Sequence, residues 1–243
     1  NVTTVKLLGG LKGTYRINEE FTLNSQLSLD FNDVTEDQYE SSQTAIGGYL
    51  LFRGYGIFIA QTFSNVLGNI TLAYNKQLCE KHKVSGLIGS ELYRSYSTGG
   101  SVQGREFASD DFTYVQSAGI VDAGTSFRSP AASLLSYFLE ARYDYEDRFL
   151  ATFGFRADGS SNFGPNNKFG YFPAFSVGWR ISNENFFSSS VINDLKLRVS
   201  YGLTGNQGIG PFNYLATWSA TTYSGSTGIS PNNVPNPNIK WES

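Results

Sequence analysis

Phe21-Thr22-Leu23-Asn24-Ser25-Gln26-Leu27-Ser28-Leu29-Asp30-Phe31 decides the fold. Phe21, Leu23, Leu27, Leu29 and Phe31 share one parity, and Thr22, Asn24, Gln26, Ser28 and Asp30 share the other. Successive side chains of an extended strand point to opposite faces. A chain with apolar surroundings on one side and water on the other therefore writes a period of two. The preceding segment does the same: Val5, Leu7, Leu11, Tyr15 and Ile17 oppose Lys6, Lys12, Thr14 and Arg16.

Working outward, the alternation predicts eight strands, over 4–17, 20–31, 62–76, 83–96, 134–145, 148–158, 169–182 and 194–204. In the later ones Leu135, Tyr137, Leu139, Tyr143 and Tyr145 oppose Ser136, Glu140, Arg142 and Asp144. Phe149, Phe153 and Phe155 oppose Arg148, Thr152, Arg156 and Asp158. Phe175, Val177, Trp179 and Ile181 oppose Ser176, Gly178 and Arg180, and Leu195, Leu197, Val199 and Tyr201 oppose Lys196, Arg198 and Ser200.

A soluble β-sandwich also alternates. Its strands, however, are usually about 5–6 residues long. The runs here reach the length of a tilted strand that crosses a bilayer. The connections also alternate in length. Asn18-Glu19, Gln77–His82 and Glu146-Asp147 are short, 183–193 is a longer turn on the same side, and 159–168 is a compact loop on the other. The links over 33–61 and 97–133 are long. Short periplasmic turns and long extracellular loops mark outer-membrane barrels. On that assignment Tyr15, Phe21, Tyr74, Tyr143, Tyr145, Phe149 and Trp179 fall at the periplasmic rim. Phe31, Tyr96, Phe155, Phe169, Tyr171 and Tyr201 fall at the outer rim. Two aromatic girdles are expected where rings bury their bodies and wet their edges.

Composition agrees. Of 243 residues 16% are charged and 15% aromatic, and the net charge of −3 leaves no electrostatic footprint for nucleic acid. Gly54 to Asn75 carries no charge, but Gln61, Asn65, Asn69 and Asn75 make it too polar for a single lipid-facing helix. Asn1 to Val5 has neither a basic nor an apolar region, so any export signal is expected outside this chain. Cys79 is the one cysteine, which rules out an intrachain disulfide, and it is expected as a buried or inert thiol near a turn.

The second half carries five motifs in order: Arg156-Ala-Asp-Gly-Ser-Ser-Asn-Phe-Gly164, Asn166-Asn-Lys-Phe-Gly-Tyr-Phe-Pro173, Gly178-Trp-Arg-Ile-Ser-Asn-Glu-Asn-Phe186, Leu195-Lys-Leu-Arg-Val-Ser-Tyr-Gly-Leu-Thr-Gly-Asn206 and Asn236-Pro-Asn-Ile-Lys-Trp-Glu242. Together they resemble the SusC/RagA family of TonB-dependent outer-membrane transporters, over about 136–242. The resemblance implies an all-β, antiparallel transmembrane barrel of about 22 strands, of which residues 1–243 supply about eight, with a ninth beginning near Ile239. It implies that the plug domain and the remaining strands lie outside this chain. It implies an importer of oligosaccharides or peptides in the outer membrane of a Gram-negative bacterium, working with a SusD-like surface lipoprotein and driven by TonB through the plug. A passive porin and a soluble β-rich binding or adhesion module are the alternatives.

Residues that carry chemistry are then few. Catalysis is not expected, because His82, the only histidine, stands in a turn between lysines. Two ligand types three residues apart, Cys79 and His82, make no zinc site. Asp158-Gly-Ser-Ser-Asn-Phe-Gly164 lacks the lysine of a phosphate-binding loop and reads as turn chemistry. No cofactor is expected. Glu140, Arg142, Asp144, Arg148, Arg156, Asp158, Arg180 and Arg198 are expected on the lumen face, in wall or plug ion pairs between neighbouring strands. Asp110, Asp111, Tyr114, Tyr214 and Trp218 are expected as outer-loop contacts for ligand or lid, and Tyr55 and Trp241 stand with those loop aromatics.

Overall fold

The computed structural model describes residues 1–44, 53–122, 124–210 and 212–242, with the backbone alone at 129–131. Its strands are β1 (Val2–Arg16), β2 (Phe21–Glu40), β3 (Tyr55–Cys79), β4 (His82–Phe107), β5 (Ala118–Val121), β6 (Thr125–Tyr145), β7 (Phe149–Ser160), β8 (Phe169–Arg180), β9 (Lys196–Gly202), β10 (Trp218–Tyr223) and β11 (Ser226–Pro231). Hydrogen-bonded neighbours run β1-β2-β3-β4-β6-β7-β8-β9, with β5 added to β4 and β10-β11 apart as a hairpin. No helix among the described residues is long and apolar enough to cross a membrane, which says nothing of strands that cross one.

All eight predicted strands are present, and four run well past their predicted bounds. β2 runs on to Glu40, β3 starts at Tyr55, β4 continues to Phe107 and β6 starts at Thr125. The long links therefore shrink to 41–54 and 108–124, the second of which holds β5; the 45–52 part of the first lies outside the described residues. The physical reason is that pairing and patterning are separate. Backbone hydrogen bonds can continue past an apolar band, but side chains there meet water on both faces and lose the period of two. β8 and β9 end two residues inside their predicted bounds.

Two compact units divide the chain. Unit 1 comprises Asn1–Gly10, Ser28–Val66 and Arg94–Ala131. It has a small core of its own, built on Phe107 and Val115, which are 5% and 7% exposed. The Tyr39 ring meets Phe107 edge to face at 5.0 Å. Gly54 has φ +91°, and a Cβ there would stand 2.7 Å from Tyr39 Oη. The Phe107 amide donates to the Arg53 carbonyl at 2.9 Å, tying the end of β4 to the start of β3.

Unit 2 comprises Leu11–Leu27, Leu67–Tyr93 and Ala132–Ser243. Its turns are short and chemically explicit. Asn18 Oδ1 accepts from the amides of Glu20 (2.9 Å) and Phe21 (2.7 Å), closing β1 onto β2. Glu146 and Asp147 both adopt positive φ (54° and 52°), the conformation that lets a two-residue turn match strand twist. Lys81 and Lys83 pair with these two carboxylates.

The ladders β6-β7-β8-β9 place apolar residues in continuous rows: Tyr145–Phe149–Trp179–Leu197, Tyr143–Ala151–Val177–Val199 and Ala141–Phe153–Phe175–Tyr201. These side chains lie bare. Phe153 is 48% exposed, Val177 55% and Leu197 56%, as is Leu27 on β2 at 52%. The predicted short-turn girdle is visible as ring contacts: Phe21–Tyr74 at 4.8 Å, and Tyr145–Phe149 and Phe149–Trp179 at 6.4 Å each. At the other end Phe155 stacks near Tyr171 at 6.2 Å.

Four of the five motifs meet in one knot. Phe163 is fully buried and lies 5.0 Å from Trp241, which lies 5.3 Å from Phe172. The Trp241 indole N–H donates to the Lys168 carbonyl at 2.9 Å. Glycines provide the room: a Cβ on Gly170 would stand 2.5 Å from Phe172 and 2.8 Å from Trp241, and one on Gly205 would stand 2.2 Å from Phe172. Asn206 bridges Glu242 antiparallel, next to the position where a ninth strand is expected to begin. Trp241 is thus a packing residue.

Candidate functional site

The polar parity of β6–β9 forms rows of its own: Asp144–Leu150–Gly178–Arg198, Arg142–Thr152–Ser176–Ser200 and Glu140–Gly154–Ala174–Gly202. The first row, with Glu140, Arg142, Thr152 and Ser176, lines an open cavity of about 740 Å³ together with Lys76, Lys83 and Lys196; Gly154, Ala174, Ser200 and Gly202 border a second recess.

Its ion pairs differ from the expected scheme. Among the described residues no ion pair joins two candidate residues on neighbouring strands: Gly154 faces Glu140, Thr152 faces Arg142, and Arg180 faces the like-charged Lys196. Pairing runs along single strands instead, where residues two apart share a face. Arg142 meets Glu140 at 2.6 Å, and Arg156 Nε meets Asp158 at 2.7 Å. Arg156 also donates to Ser136 Oγ at 2.8 Å and to Glu91 at 3.2 Å, and stands 5.6 Å over the Phe138 ring. This guanidinium covers Ser136, which is fully buried, and Asp158 is 8% exposed.

The remaining candidates sit at the short-turn end. Arg148 grips Glu184 through Nε (3.0 Å) and Nη2, and reaches Glu146 at 3.0 Å. Asp144 accepts the Asp147 amide at 2.8 Å, Arg180 Nε lies 3.6 Å from Asp194, and Arg198 donates to Ser176 Oγ at 3.1 Å. Four partners escaped the sequence reading: Glu91, Glu146, Glu184 and Asp194. Glu91 and Asp194 lie on the polar parity of their predicted strands, which marks their face but not their partner; Glu146 and Glu184 belong to connections, where no periodicity marks a face.

In the loops, Asp110 is wholly engaged within the chain. It accepts from Tyr39 Oη (2.7 Å), Ser41 Oγ (2.9 Å), the Ser42 amide (2.9 Å) and Ser42 Oγ (3.0 Å). The Ser42 amide, then the Tyr39 and Ser41 hydroxyls, hold its carboxyl down at about 2. Burial and the facing Asp110 push the Tyr39 phenol up to about 12. Asp111 accepts from Ser109 Oγ at 3.0 Å. Tyr114 and Trp218 are 57% and 60% exposed, and Tyr214 borders a shallow recess with Pro165, Lys168, Leu215, Pro235 and Pro237. Cys79 is exposed at the end of β3, so of the buried or inert thiol expected there the buried alternative does not hold. His82 Nδ1 and Tyr143 Oη lie 2.6 Å apart within the short-turn girdle.

The family model described as TonB dependent receptor-like, beta-barrel matches residues 3–243. The chain belongs to this family. TonB-dependent receptor P39 of Formosa agariphila is 33% identical over all of this chain and 22% of its own length. TonB-dependent receptor SusC of Bacteroides thetaiotaomicron is 41% identical over 45% of this chain and 12% of its own. The chain thus spans about a fifth of the first relative. The solved structure of the RagAB peptide transporter superposes with a TM-score of 0.88 over 99% of this chain and 27% of that one, at 22% identity, a likeness of fold. The SusC/RagA resemblance and the transmembrane-barrel fold class both stand, and a soluble adhesion module is set aside.

Proposed function

We propose that this TonB-dependent receptor barrel segment forms wall in an importer of oligosaccharides or peptides, in the outer membrane of a Gram-negative bacterium. One observation carries the reading: residues of the polar rows line open recesses while Phe153, Val177 and Leu197 of the apolar rows lie bare, as a wall between lumen and lipid requires. Energy comes from TonB through a plug region, and a SusD-like lipoprotein covers the outer loops. Asp111, Tyr114, Tyr214 and Trp218 are the contacts we assign to ligand or lid. Asp111, Tyr114 and Trp218 are exposed and Tyr214 is half-buried beside a recess, which supports this, and an aromatic face suits a sugar ring as well as an apolar side chain. The Glu140–Arg142 and Arg156–Asp158–Glu91 groups keep the inner wall polar and its charges compensated.

The test is uptake of labelled oligosaccharide and peptide pools by cells carrying the full-length receptor, with and without TonB. Uptake of one pool that disappears without TonB is expected. Uptake that persists without TonB would instead describe a passive pore.

A further inference from the structure

The short turns of unit 2 carry ion pairs. Glu20 pairs with Lys76, Glu146 with Lys81 and Asp147 with Lys83. The connection between β8 and β9 is built differently. Its carboxylates stand at its two ends and are engaged there: Glu184 with Arg148 and with the Trp179 indole N–H at 2.8 Å, Asp194 with the Ser182 hydroxyl at 3.0 Å. Between them Asn185-Phe-Phe-Ser-Ser-Ser-Val-Ile-Asn193 carries no charge.

The apolar side chains of this turn are bare. Phe186 is 70% exposed and Val191 86%, more than the mid-strand Val177 at 55%. The turn is also fixed by its own hydrogen bonds. Ser189 Oγ accepts from the amides of Val191 (3.2 Å) and Ile192 (3.0 Å), and the Phe187 amide donates to the Glu184 carbonyl at 3.0 Å. Apolar groups held out in this way forfeit the free energy of burial unless the surroundings are apolar too.

Phe186 has a definite side. Its ring meets Trp179 edge to face at 6.2 Å. Trp179 belongs to the apolar row of β8, a strand paired on both edges. From Trp179 the rings continue through Phe149 and Tyr145, at 6.4 Å each, to His82 at 5.0 Å. The short-turn girdle therefore runs off the sheet and onto the turn. It does so on the lipid face of the wall, which nothing folded inside the barrel reaches.

We infer that residues 185–192 are an interfacial anchor: the turn dips Phe186 and Val191 into the lipid leaflet at the short-turn end instead of standing in water. Lipid is the occupant because the patch continues the apolar row, joins it ring to ring, and carries no charge that would hold it in water. Aromatic rings favour that depth, and a neutral apolar segment gains from burial there. The inference rests on the assignment of lipid and lumen faces, and is independent of what the importer carries.

Spin labelling measures the depth. In the full-length receptor with Cys79→Ser, a nitroxide is attached after Phe186→Cys, Val191→Cys, Glu80→Cys or Leu27→Cys, one position at a time. Each barrel is verified by heat-modifiable gel mobility and placed in phosphatidylcholine–phosphatidylglycerol liposomes. Collisions with oxygen, which concentrates in lipid, are compared with collisions with a neutral nickel chelate, which stays in water. The oxygen-to-nickel ratio at 186 and 191 should lie several-fold above that at 80, in the charged β3-β4 turn, and below that at 27, in mid-strand. Ratios at 186 and 191 equal to that at 80 would put the turn in water and overturn the inference. Low collision rates with both reagents would mean that protein covers the turn, and would overturn it as well. If the Phe186→Cys barrel does not form, position 191 decides alone. A water-like ratio at 27 would instead overturn the lipid-facing wall itself, which separates the two failures.

Discussion

Asp110 shows how a single carboxylate organises a loop. Its two oxygens gather four donors from Tyr39, Ser41 and Ser42, which joins the end of β2 to the link after β4 within unit 1. Asp110→Ala should speed proteolytic cleavage near residues 41–44 in the full-length receptor while leaving the barrel's gel mobility unchanged. The pH dependence has a definite sign. The carboxyl is lowered from 3.8 to about 2, so its contribution is present above the unfolded value and is lost as pH falls through the folded one. The phenol is raised from 10.0 to about 12, so its contribution is complete below 10 and is lost as pH rises toward 12. Hydrogen exchange at the Ser42 amide should therefore show extra protection between about pH 4 and 10, relative to Asp110→Ala, that disappears on either side.

Glycine in the aromatic knot is tested at the same scale. The Gly205 φ is unremarkable; what matters is the 2.2 Å approach to Phe172 that a Cβ would make. Gly205→Ala should cost about 1–3 kcal/mol through forced repacking of Phe172 and Trp241. Thermal melting of the intact receptor would read this, and an unchanged midpoint would show that the rings move aside freely.

At the scale of the element, each strand is defined by the difference between its two faces. Leu27 projects from the apolar parity of β2, 52% exposed, while Gln26 projects from the other. Leu27→Arg should cost about 2–4 kcal/mol in the membrane-inserted barrel, and Gln26→Arg far less. The same contrast is expected between Leu197→Arg and Ser200→Arg on β9. Equal losses on both parities, measured by reversible unfolding in lipid, would contradict the assignment of lipid and lumen.

For the whole molecule, the consequence of bare apolar rows is dependence on its surroundings. Among the described residues β1 and β9 stand at the two ends of the strand order, each with one paired edge, and unpaired edges recruit other strands. Residues 1–243 expressed alone should aggregate in detergent-free buffer and remain dispersed only with detergent or lipid. Sedimentation in the two media measures this directly; a clean monomer without detergent would mean that the apolar rows find cover within the chain.

Strand existence, the sense of each face and the short-turn girdle were legible in the sequence, because the period of two is imposed residue by residue by lipid on one side and water on the other. The turns at Asn18-Glu19 and Glu146-Asp147 were legible for the same local reason. The true length of β2, β3, β4 and β6 was not, since ladder bonds involve main-chain groups common to every residue and leave no pattern once both faces are wet. Nor were the partners of Arg148 and Arg156, the engagement of Asp110, or the joining of Phe163, Phe172 and Trp241 over glycine. Those depend on which residues the register brings within a few ångströms of one another, and only the assembled sheet decides that.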